Sequence, residues 1–154
     1  MNPQALEVNA LLTRTADLFL HHADQQSVAM RVEVEEGLPP LQLDDVRMQQ
    51  VLDNLVSNAL RYTSQGGTIT LGARKAGNEV EISVGDTGSG IPPEDLPAIF
   101  DRFQRGDKSR HTETGESGLG LAIVKALVEA HGGRVSAESE VGRGTTIRMT
   151  FPVR

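Results

Sequence analysis

Two tight turns limit this chain more than anything else in it. TITLGAR, residues 68–74, and EVEISV, residues 79–84, alternate polar and apolar side chains and are joined by AGN at 76–78. A period of two marks a strand with one buried face, and so short a link pairs the two strands as a hairpin. RVSAESE at 134–140 and TTIRMTF at 145–151 repeat the arrangement around VGRG at 141–144. VAMRVEVE at 28–35 alternates as well and reads as a further strand. Antiparallel hairpins with few crossovers suggest helices stacked on one face of a mixed sheet.

Three segments read as helices. Asn9 is placed to cap the first, whose apolar positions include Leu11, Leu12, Ala16 and Phe19. The second spans 44–62, between the breaks GLPP at 37–40 and SQGG at 64–67. The third, GLGLAIVKALVEAHGG, is strongly apolar and closes at Gly132 and Gly133. Pro92 and Pro93 open a short helical segment that runs to Phe100. Residues 101–117, DRFQRGDKSRHTETGES, have no periodicity, and a loop that long inside a compact domain is functional or disordered.

Composition removes whole classes of function. The chain has 154 residues, enough for one domain with a real core, and residues 1–154 are expected to form one. Aromatics make up 3% and Trp is absent, so the core must be built from Leu, Ile, Val, Ala and Met. A net charge of -6 with dispersed Lys and Arg argues against nucleic acid. With no cysteine there is no disulfide, thiolate zinc site or cysteine nucleophile, which suits a reducing compartment. No apolar run approaches the roughly 18 residues of a membrane span, and MNPQALEVNA lacks the apolar centre of a signal peptide. A cytoplasmic location is expected.

Three stretches carry the chemistry. On helix 44–62, Met48, Val51, Leu52, Leu55, Ala59 and Tyr62 recur at spacings of three and four, forming a buried stripe. A second stripe holds Gln50, Asn54, Ser57, Asn58 and Arg61. It reads either as a solvated face or as a ligand face. Asn is a poor helix former, amide carbonyls suit Mg2+, and an arginine one turn on suits phosphate. Gly118 and Gly120 open the third helix, where free N–H groups and the helix dipole attract anions. No Gly-Lys-Ser/Thr follows and no strand precedes, so this is neither a Walker A loop nor a dinucleotide fingerprint. VGDTGSGIP, residues 84–92, sets three glycines around Asp86. On its own it fits a turn, an aspartic-protease loop or the floor of a nucleotide pocket.

Taken in order, NLVSNALRY, GDTGSGIP, IFDRFQRGDKSR with GESGLGLAIVKAL, and VGRGTT resemble the N, G1, F, G2 and G3 motifs of the catalytic, ATP-binding domain of bacterial sensor histidine kinases. That superfamily also holds DNA gyrase B, Hsp90 and MutL, and the resemblance covers roughly residues 5–153. It implies an α+β fold, a two-layer α/β sandwich of the GHKL type with three main helices on a five-stranded mixed sheet.

It also implies a site. Asp86 would accept a hydrogen bond from the adenine amine, with Gly88, Gly90 and Ile91 forming a thin loop beside the base. Tyr62 would pack by the nucleoside. Asn54 and Asn58 would hold Mg2+. Arg61 stands near the phosphates, and Arg105 would act on the γ-phosphate, so Arg105, Asn54 and Arg61 carry the catalytic roles. Phe100 and Phe103 would anchor residues 101–117 as an ATP lid. Gly115, Gly118, Leu119, Gly120 and Leu121 would wrap the phosphates, and Thr146 would support adenine beside Asp86.

The aspartic-protease reading then fails, since it needs two such aspartates at close range in an almost entirely β frame. Gyrase and Hsp90 carry a water-activating Glu where this chain has Asn54, and Asp53 points about 100° away around the helix. Phosphoryl transfer is therefore favoured over hydrolysis. None of His21, His22, His111 and His131 stands in an acceptor context, and His131 is placed at a helix C-cap where positive charge is favourable. The expected partners are ATP and ADP, a histidine-bearing dimerisation domain and, indirectly, a response regulator. The fragment itself is expected to be a monomer, from a parent kinase of the kind that often spans the inner membrane. A serine kinase of the anti-sigma-factor type and a non-catalytic nucleotide-binding module are the alternatives.

Overall fold

The computed structural model describes residues 1–101 and 119–153. Its elements are β1 (Pro3–Leu6), α1 (Val8–Gln25), β2 (Ala29–Val34), β3 (Leu41–Asp44), α2 (Asp45–Tyr62), β4 (Thr68–Ala76), β5 (Glu79–Asp86), a 3-10 turn (Leu96–Ala98), α3 (Leu119–Ala130), β6 (Arg134–Glu140) and β7 (Gly144–Pro152).

Both hairpins form where the alternation places them. β4 pairs antiparallel with β5 from Ile69↔Asp86 to Ala76↔Glu79, and β6 with β7 from Arg134↔Thr150 to Glu140↔Gly144. β5 and β7 join the hairpins antiparallel, and β2 adds to β4 in parallel, giving the order β2-β4-β5-β7-β6. The parallel pair requires a crossover, which α2 supplies.

The pleat sorts the side chains. Ile69, Leu71, Ile82, Val84, Met149 and Phe151 point to one face and are buried there with Leu12 of α1, Leu52 and Leu55 of α2, and Val124 and Val128 of α3. Three helices thus cover one face of a five-stranded mixed sheet, as expected. The core is aliphatic, with Phe151 the single aromatic among the fully buried large side chains of the described residues. The other sheet face carries Arg74, Glu81, Arg148 and Glu138. Among the described residues no helix is long and apolar enough to cross a membrane.

Three details depart from the sequence expectation. β1 and β3 form a separate two-stranded antiparallel sheet, Pro3↔Asp44 to Leu6↔Leu41; strands of four residues carry too little periodicity to be read. α1 starts at Val8 with Glu7 as its N-cap, and Asn9 lies inside the first turn, its Oδ1 accepting from Thr13 Oγ1 at 3.5 Å. His131 follows the last residue of α3, as expected of a C-cap, but is buried and engaged across the fold. Its Nδ1 lies 2.7 Å from the Leu127 carbonyl and its Nε2 accepts the Asp44 N–H at 3.1 Å. The ring thus ties the last turn of α3 to the start of α2. His21 and His22 are exposed on α1, as expected.

Candidate functional site

The site grows from the end of β5. Asp86 is its last residue and shares the pleat side of Ile82 and Val84, so its carboxylate faces the helix layer. Oδ1 accepts the Gly88 N–H at 2.8 Å. Burial pushes the carboxyl above the ordinary aspartate range, and hydrogen bonds from the Gly88 and Thr145 backbone N–H groups oppose that shift.

Around it lies a cleft open to solvent. Asn58 and Tyr62 line it from α2, and Ser89, Gly90 and Ile91 from the loop after β5. Ile99, Leu121 of α3, and Thr145 and Ile147 of β7 complete the wall. Its surface mixes the apolar side chains of Ile91, Ile99, Leu121 and Ile147 with the Asp86 carboxylate, the Asn58 amide and the hydroxyls of Tyr62, Ser89 and Thr145. Such a cleft suits a flat ring that carries N–H donors at its edge.

The glycines of GDTGSG are required by the protein's own packing. A Cβ on Gly88 would collide with the Tyr62 carbonyl, which accepts the Ser89 N–H at 3.3 Å. Gly90 has φ +81, and a Cβ there would strike the Glu140 backbone. This packing demand stands beside the expected role of these glycines in keeping the loop thin for an approaching base. Gly144, within VGRGTT, is the tightest of all: a Cβ on it would enter the Asp86 carbonyl.

Of the residues expected at the site, the fold brings together Asp86, Gly90, Ile91, Tyr62, Asn58 and Leu121, with Gly88 directly behind. Asn54 sits one turn back on α2, half-buried and outside the lining, and Arg61 is exposed. Leu119 and Gly120 open α3. Phe100 packs against the core. Arg105, Phe103, His111, Gly115 and Gly118, with most of the expected lid, lie outside the described residues.

Thr146 is misplaced by the sequence reading. The register pairs Thr146 with Gly85, on the helix-free side, and sets Thr145 opposite Asp86. Thr145, Ile147, Ser89 and Ile99 line the cleft without having been singled out. The first two were reachable only by knowing that β7 is the neighbour of β5. Asp53 is turned away, its Oδ1 taking a 2.8 Å hydrogen bond from Gln49 Nε2 on the α1 side of α2. Gln49 in turn bonds Thr15 and Arg14.

A family model described as histidine kinase-, DNA gyrase B-, and HSP90-like ATPase matches residues 43–154. The sensor protein DivL of Caulobacter vibrioides is 45% identical over 147 residues, which are 96% of this chain and 18% of DivL. The sensor histidine kinase WalK of Bacillus subtilis is 47% identical over 131 residues, 80% of this chain and 21% of WalK. The chain therefore spans about a fifth of the length of these relatives. Among solved structures, full-length ShkA in complex with AMPPNP superposes with a TM-score of 0.86 at 31% identity, over 99% of this chain and 31% of ShkA. The nucleotide-free catalytic domain of histidine kinase ThkA gives 0.85 at 27% identity, over 99% of this chain and 96% of that domain.

Proposed function

From the premise that this chain belongs to the histidine kinase-, DNA gyrase B- and HSP90-like ATPase family, we propose that it is the catalytic part of a two-component sensor histidine kinase. It binds ATP with Mg2+ and presents the γ-phosphoryl group to a histidine on a dimerisation domain, from which a response regulator draws it. The supporting observation is the half-buried Asp86 carboxylate in a cleft it shares with the apolar side chains of Ile91, Ile99, Leu121 and Ile147. In this reading Asp86 accepts the exocyclic amine of adenine, while Tyr62, Ile91, Ile99 and Leu121 hold the ring and exclude water from that hydrogen bond.

Mg2+ fits the donor set in one particular way. Among the described residues no three His, Cys, Asp or Glu side chains converge, so these residues alone do not cage an ion. The Asn58 amide lines the cleft and Asn54 follows one turn away on α2, which suits an ion shared with phosphate oxygens. When bound, the ion neutralises charge on the triphosphate. Asn58→Ala should then weaken ATP binding about tenfold with Mg2+ present and far less in EDTA; equal losses in calorimetry would remove the metal role. The engagement of Asp53 by Gln49 leaves α2 without a carboxylate aimed at water beside Asn54, which supports transfer over hydrolysis.

The test is to supply a histidine-bearing helical domain in trans with γ-labelled ATP. Acid-labile label on that domain is expected. Acid-stable label would indicate a serine kinase, and tight ATP binding without transfer would indicate a regulatory nucleotide-binding module.

A further inference from the structure

We propose that Ser139, on β6 behind the cleft wall, fixes the direction of the Thr145 hydroxyl and so makes the cleft select a 6-amino purine over a 6-oxo purine. The inference rests on the nucleotide reading of the cleft given above. Ser139 pairs with Thr145 across the β6–β7 ladder. Its Oγ has three partners: it accepts the Ile91 N–H at 2.7 Å, donates to the Gly144 carbonyl at 3.0 Å, and lies 2.8 Å from Thr145 Oγ1.

A hydroxyl has one proton and two lone pairs. The Ile91 N–H only donates and the Gly144 carbonyl only accepts. The serine proton therefore goes to Gly144, one lone pair takes the Ile91 N–H, and the other takes the proton of Thr145. Thr145 is left with lone pairs alone to offer the cleft that it lines. Its neighbour across the β5–β7 ladder is Asp86, whose carboxylate is also an acceptor. The sheet thus presents a purine with two adjacent acceptors. A 6-amino group brings N–H donors to them. A 6-oxo group brings a lone pair, leaving acceptors facing an acceptor, which is the mismatch that discriminates most strongly at buried polar sites. Ser139 is a positioning residue, acting through Thr145.

Affinities of ATP and ITP, measured by calorimetry with Mg2+ on the whole chain, test this. ATP should bind more tightly than ITP to the unaltered protein. Ser139→Ala also releases the Ile91 N–H, so both affinities fall; the proposal requires ATP to lose more, contracting the ATP-to-ITP ratio about five- to tenfold. In a Thr145→Val background, where no hydroxyl remains to orient, the added Ser139→Ala should leave the ratio unchanged. Ser139→Cys, which keeps the shape and weakens all three bonds, should show the same contraction if the alanine variant unfolds. An equal loss for both nucleotides, or an equal contraction in the valine background, overturns the role of Ser139 while the nucleotide reading stands. If the unaltered chain binds neither nucleotide, the reading of the cleft falls and this proposal with it.

Discussion

Asp86 sits where function and stability pull in opposite directions. Burial raises its carboxyl above the aspartate range, so ionisation is less favourable in the folded chain than in the unfolded one. The associated stability is present below the ordinary aspartate range and is lost as pH rises through the raised value. At neutral pH the charge is therefore a cost to the fold, borne by a residue whose proposed role needs it ionised. Asp86→Asn keeps an oxygen for the Gly88 N–H and removes the charge. Its melting temperature should equal or exceed that of the parent chain, while ATP affinity drops at least tenfold. ATP binding to the parent should also weaken on acidification at a pH above the usual aspartate titration, and a variant that melts lower yet binds normally would reverse the assignment. Asp86 and Asn58 were legible in the sequence because their motifs are local. Thr145 was not: choosing between Thr145 and Thr146 requires the register of β7 against β5, and a one-residue error moves a side chain to the other face.

At the scale of elements, the site stands between α2 and α3, and their relation depends on a contact far along the chain. His131 receives the Asp44 N–H just before α2 and binds the Leu127 carbonyl in the last turn of α3. Asp44 caps α2 through the Arg47 N–H at 3.0 Å and accepts the Asn2 N–H at 2.7 Å. Its carboxyl is held below the ordinary range, first by the Arg47 N–H and then by that of Asn2. His131→Ala leaves the buried Asp44 N–H without its acceptor and should cost about 1–3 kcal/mol of unfolding free energy by denaturant titration. Replacement of the exposed His22 should cost nothing measurable; equal effects would show that the His131 contact contributes nothing to stability. The two hairpins and the two long helices, α1 and α2, were readable because their periods persist over six or more residues. The β1–β3 pair and the His131 contact escaped because each joins segments distant in sequence, and local pattern carries no trace of the partner.

The whole molecule divides its labour between two faces of one sheet. The helix-covered face holds the core and the cleft. The opposite face holds a ladder of charges across four adjacent strands: Arg74 on β4, Glu81 on β5, Arg148 on β7 and Glu138 on β6. Glu81 is 10% exposed and bridges Arg74 at 2.9 Å and Arg148 at 3.3 Å, while Arg148 also meets Glu138 at 2.7 Å. The Arg74 hydrogen bond, more than the charge of Arg148, holds the Glu81 carboxyl below the ordinary glutamate range. A lowered folded value has the opposite consequence to that of Asp86. The stability is present above the unfolded value and is lost as pH falls through the folded one. Glu81→Gln should cost about 1–2 kcal/mol at neutral pH, between the worth of an exposed pair and that of a buried one. Its stability should also fall less steeply than the parent's on acidification. Because a full sheet separates Glu81 from the cleft, ATP affinity should stay within twofold of the parent value, well inside the tenfold that 1.4 kcal/mol represents. Denaturant titrations from neutral to acid pH, paired with calorimetry, decide the matter. A Glu81→Gln chain that keeps its stability but loses ATP would mean that the two faces are coupled.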